Sequence, residues 1–111
     1  MADKIKLVQG DTGPQLRLTM TDEETGLATD LTGATVTLHF RALGGTTTLF
    51  SRNAFINPDT ASTGVCYIEW QAGDLDIPAG DYEGEIQVTR RTGVIETVYD
   101  IIKFKVRGEF A

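Results

Sequence analysis

The chain has 111 residues, of which 41% are hydrophobic and 23% charged, with a formal net charge of −6. That length suits a single domain with one core, spanning residues 1–111, and the composition excludes a disordered or fibrous chain. The acidic balance disfavours nucleic acid and anionic membrane surfaces as partners, and no apolar run approaches the roughly 18 residues of a membrane span.

Alternation with a period of two dominates from the start. Lys4-Ile5-Lys6-Leu7-Val8 reads as a short first strand, broken by Gly10-Asp11-Thr12-Gly13-Pro14. Leu16, Leu18 and Met20 then alternate with polar residues in a second strand. The acidic turn Asp22 to Gly26 follows, too short for a helix. Next, Val36, Leu38 and Phe40 share one face, and Thr35, Thr37, His39 and Arg41 the other. Gly44-Gly45 signals a hairpin with a returning strand from Thr47 to Arg52. Phe55-Ile56 precedes the loop from Asn57 to Gly64.

Val65 to Gln71 is the next strand, with Cys66, Ile68 and Trp70 in one phase and Tyr67 and Glu69 in the other. Leu75-Asp76-Ile77-Pro78-Ala79-Gly80-Asp81-Tyr82 reads as a tyrosine corner. A bend containing proline delivers Tyr82 into a strand, where its phenol can bond back to the backbone just upstream. That strand runs from Tyr82 to Arg90, and Arg91-Thr92-Gly93 turns it back. Val94 to Val106 holds apolar residues in both phases, which predicts a bulge near Asp100 that switches the phase. The expected architecture is all-β: an immunoglobulin-like antiparallel β-sandwich of about seven strands.

Groups able to converge on a catalytic or metal site are sparse. His39, the lone histidine, falls on the polar face of its strand. A Ser-His-Asp arrangement would need it beside Ser51 or Ser62, and neither serine sits in a nucleophile motif. Zinc would find only Cys66 and His39 as soft ligands, on opposite faces. Asp74, Asp76 and Asp81 gather around the corner, with Glu83 and Glu85 beyond. They could offer oxygen to calcium, but their spacing is not that of an EF-hand loop, and turn roles account for Asp74 and Asp81. Gly10 to Pro14 lacks the following helix and the Lys-Ser/Thr pair of a phosphate loop. Cys66 reads as a small core residue and cannot form an internal disulfide. Trp70, in phase with Ile68, reads as a core tryptophan. No catalytic residue, cofactor or metal is assigned, and the chain is read as a non-enzyme. The absence of a basic, apolar leader predicts folding in a reducing cytoplasm.

Surface is what remains. Basic residues gather late, at Arg90, Arg91, Lys103, Lys105 and Arg107, as a solvated strand face or as a docking face for an acidic partner. Nothing obvious blunts the first strand. The expected contact residues are therefore Ile5, Leu7 and Val8 from that strand, and Lys103, Lys105 and Arg107 from the last.

Several pieces occur together in order: Leu7-Val8-Gln9-Gly10-Asp11, Asp30-Leu31-Thr32-Gly33-Ala34-Thr35-Val36, Thr63-Gly64-Val65, Pro78-Ala79-Gly80-Asp81-Tyr82 and Ile102-Lys103-Phe104-Lys105-Val106. In this the chain resembles the N-terminal immunoglobulin-like domain of bacteriophage baseplate upper proteins and related small prophage structural proteins, across nearly its whole length. The resemblance implies a non-enzymatic virion structural protein of tail, baseplate, neck or head decoration. Its partners would be other phage structural proteins and further copies of itself in a homo-oligomer. It would be made in the bacterial host cytoplasm and located in the virion. The family's helical stalk and receptor-binding region do not follow Val106. An alternative is a carbohydrate- or ligand-binding sandwich that recognises host glycans through Tyr67 or Tyr99 and loop carboxylates.

Overall fold

The structure, a computed structural model, describes residues 4–13, 15–22, 25–98 and 101–108. It is all-β. The strands are β1 (Ile5–Val8), β2 (Leu16–Thr19), β3 (Thr35–Ala42), β4 (Phe50–Asn53), β5 (Val65–Ile68), β6 (Gly80–Thr89), β7 (Ile95–Thr97) and β8 (Ile102–Arg107), with a 3₁₀ turn at Ala61–Thr63. Six of them form one mixed sheet in the order β1-β8-β6-β3-β4, with β7 also paired to β6. β2 and β5 form a second, two-stranded sheet.

Two expectations change here. There are eight strands among the described residues rather than seven, because the long apolar run after Val94 divides into β7 and β8, both paired with β6. The large sheet is also not purely antiparallel, because β1 lies parallel to β8 in the register Ile5↔Phe104 to Val8↔Arg107. Asp100, where a bulge was expected, lies outside the described residues. The phase is nevertheless the same on either side of it. Val98, Ile102, Phe104 and Val106 turn inward, and Ile95 and Ile101 stay exposed.

The core lies between the sheets and is centred on Phe40. Its ring stacks on Phe50 (4.8 Å) and Tyr82 (5.3 Å) and meets the edge of Trp70 (5.8 Å). Phe104 lies 5.1 Å away. The strand returning after Gly44-Gly45 therefore begins at Phe50, where this stacking starts, and not at Thr47. The turn itself closes at Ala42–Gly45, by the Gly45 N–H to Ala42 carbonyl bond (2.8 Å). β5 stops at Ile68, short of the expected Gln71, but Trp70 still reaches the core at 4% exposure. Cys66 is fully buried, as its phase required.

The tyrosine corner is present. The buried Tyr82 hydroxyl donates to the Pro78 carbonyl, four residues upstream, and Leu75 packs in the core beneath it. Gly84 is needed on the inner face of β6, since a Cβ there would come within 2.6 Å of Leu38 and 2.9 Å of Phe104. A second close approach is at Gly64, whose φ is +77° and whose Cβ would lie 2.4 Å from the Met20 carbonyl oxygen. Met20 N–H in turn donates to the Gly64 carbonyl (2.7 Å), joining the end of β2 to the start of β5.

Candidate functional site

Pairing of β1 with β8 brings the two expected contact segments together at one edge of the large sheet. Alternation then divides their residues between faces. Ile5 and Leu7 stand opposite Phe104 and Val106, on the inner face. Leu7 is only 2% exposed and belongs to the core, and Ile5 packs against that core. This corrects the expectation for Leu7, which is not a surface contact, while Ile5 is half-buried: an edge strand can be open along its backbone while its inward side chains are covered. Val8, half-buried, lies opposite Arg107 on the outer face, where Lys103, Lys105 and Arg107 are exposed.

Two basic residues of the same surface, Lys4 and Lys6, were missed. Their signal was available, since Ile5 and Leu7 in one phase put Lys4 and Lys6 in the other. Lys6 stands opposite Lys105, a like-charge pair that weakens the local pairing. Among the described residues, Lys6, Lys103 and Lys105 form no ion pair. A chain of net charge −6 thus concentrates Lys4, Lys6, Lys103, Lys105 and Arg107 on one edge.

Beside this basic edge, β6 carries Asp81, Glu83 and Glu85 outward, with Asp81 opposite Lys105 and Glu83 opposite Lys103. Lys4 Nζ donates to Asp81 Oδ1 (2.9 Å). That bond, with the charge of Lys4 and of Lys105 behind it, holds the Asp81 carboxyl below its ordinary range. Glu83 is largely covered and accepts a hydrogen bond from Arg41 Nε (2.6 Å). Asp74, also buried, is held by a forked contact from Arg52 and accepts from the Gln71 N–H (2.8 Å). Three of the five carboxylates read as a cluster in the sequence, Asp74, Asp81 and Glu83, thereby go to three separate basic partners, and no group of three or more His, Cys, Asp or Glu side chains is placed to hold a metal among the described residues.

His39 lies on the outer face, as alternation placed it, opposite both Ser51 and Glu85. Its Nδ1 is 2.7 Å from Ser51 Oγ and its Nε2 3.4 Å from Gln87 Oε1. The serine neighbour that a triad would require is therefore present, set by the β3–β4 register. Its third group is a neutral amide, which can orient the imidazole but supplies no charge to balance an imidazolium. His39 lines a depression with Arg41, Thr48, Glu83, Glu85 and Ile101.

The outer face of the smaller sheet is different in character. Tyr67 stands opposite Arg17 on one side and exchanges two backbone hydrogen bonds with Phe55 on the other (2.7 and 3.0 Å). Arg17, Tyr67 and Phe55 therefore form one row, with Phe55 55% exposed. Tyr99 lies outside the described residues. Compared with protein-family models, curated proteins and solved structures, the chain matches none.

Proposed function

We propose that this chain is an immunoglobulin-like, non-enzymatic structural module of a bacteriophage or prophage particle, acting through contacts with other virion proteins and with further copies of itself. The observation that carries the proposal is the basic edge formed by β1 and β8 in an otherwise acidic protein. A basic edge on a chain of net charge −6 favours contact with an acidic surface, on a further copy or on a neighbouring protein, and it orients the encounter. The fold supports this reading by presenting that edge on a sheet whose other face packs against the core through Leu7, Phe104 and Val106.

Particle incorporation tests it. The triple reversal Lys103→Glu, Lys105→Glu, Arg107→Glu lies on exposed positions and is expected to leave the fold intact and abolish incorporation. Full incorporation of the reversed protein would remove the surface and the proposal with it. Light scattering of the purified wild-type chain should show a closed oligomer.

A second reading, carbohydrate binding, has one observation in its favour: the row Arg17, Tyr67 and Phe55 on the smaller sheet. Exposed rings beside a guanidinium can stack on a sugar face and hydrogen-bond its hydroxyls. A glycan-array signal lost in Phe55→Ala would favour it over assembly.

A further inference from the structure

We infer that the open side of β1 accepts an extended strand from an acidic partner protein, one that alternates carboxylate with apolar side chains. The inference rests on the reading above that the β1–β8 edge is a docking surface, and it specifies what docks. Gln9 N–H donates to the Arg107 carbonyl (3.0 Å), so alternation turns the odd-numbered peptide groups of β1 toward β8 and those of Lys6 toward the open side. The Val8 N–H points the same way, while the Val8 carbonyl is already used by the Asp11 N–H (3.2 Å). Among the described strands, β1 pairs with β8 alone. Its backbone is thus a template for one more strand.

Side chains select that strand. On the outer face an added residue would meet Lys6, with Lys105 immediately behind it and Lys4 one step along. A carboxylate at that position relieves the Lys6–Lys105 repulsion. On the inner face the added strand would meet the partly exposed flank of Ile5, which favours an apolar residue. Pairing of β1 with the β1 of a second copy would instead set lysines against lysines, so the same side chains that admit an acidic strand reject that symmetric contact.

The test uses two blocked peptides, acetyl-(Glu-Val)₄-amide and acetyl-(Lys-Val)₄-amide, titrated into the full chain and followed by amide shifts and amide hydrogen exchange. The Glu-Val peptide should bind with shifts centred on residues 5–8 and slowed exchange at the Lys6 N–H, and the Lys-Val peptide should not bind. Lys6→Glu should weaken binding by about tenfold or more, the scale of one close charge pair. Val8→Pro removes an open-side N–H without changing charge and should weaken it too, while Lys6→Ala serves as a milder variant if either perturbs folding. Equal binding of both peptides, or shifts confined to residues 103–107 with Lys6 exchange unchanged, would overturn strand addition. Loss of particle incorporation in the triple reversal but not in Val8→Pro would leave the docking face standing and remove only the added strand.

Discussion

At the scale of single residues, the best-determined features are those whose chemistry admits one local solution. Tyr82 is one. Its ring is core and its hydroxyl must find an acceptor, which the bend at Pro78 supplies. Tyr82→Phe keeps the ring and removes the bond, so chemical denaturation should show a loss of about 1 kcal/mol. Cys66 is another. Burial pushes its thiol from 9.0 up to about 11, so the folded state favours the neutral form. That contribution is fully present below about pH 9 and is lost as pH rises through about 11. The Tyr82 phenol, also raised by burial, acts in the same direction. Stability measured across this alkaline window should fall, and a Cys66→Ala variant should show a shallower decline. Thiol reagents at neutral pH should label Cys66 only after unfolding.

Elements are held by contacts between strands that are distant in sequence. Gly84 is the point where β6 passes closest to Leu38 and Phe104, so Gly84→Ala overpacks the core and should cost about 1–3 kcal/mol by thermal or urea unfolding. The edge strand β4 is fastened differently. Arg52, on its inner side, forks onto the buried Asp74 carboxylate after β5 and lies 5.5 Å over the Phe50 ring. Arg52→Met retains the stem and leaves the buried carboxylate with the Gln71 N–H but without its cation, which should destabilise the protein by about 2–4 kcal/mol. Amide exchange should then accelerate first in β4. The Asp30-Leu31-Thr32-Gly33 segment ahead of β3 is, by contrast, locally specified. The Asp30 carboxylate accepts both the Thr32 hydroxyl (2.6 Å) and the Thr32 N–H (2.9 Å), which holds its carboxyl below the ordinary range, and Gly33 takes a φ of +73°.

For the whole molecule, charge distribution matters more than net charge. Sixteen acidic residues outweigh ten basic ones, yet the basic residues of β1 and β8 meet on one edge. Association through that edge should weaken as salt is raised through the range where the screening length falls from about 10 to about 3 Å, visible as a drop in oligomer mass by light scattering. Association that is insensitive to salt would point to an apolar contact, such as the row at Phe55, and away from the basic edge.

Much of this protein was legible from residue order. Period-two patterning placed Val36, Leu38 and Phe40 in the core, His39 on the outside, Cys66 and Trp70 inside, and a turn at Arg91–Gly93. These succeed because a strand's faces follow from alternation, and a turn from its glycine, with no reference to distant chain. What alternation cannot report is which strands become neighbours. The parallel pairing of β1 with β8, the division of the final run into two strands on β6, and the meeting of His39 with Ser51 are all matters of register between remote segments. So is the fate of the contact surface. Leu7 is buried, and Ile5 half-buried, against a strand that lies nearly a hundred residues away in sequence. The basic edge exists for the same reason: its charges are close in space because β-sheet hydrogen bonding joins the two ends of the chain, a long-range condition that no local pattern encodes.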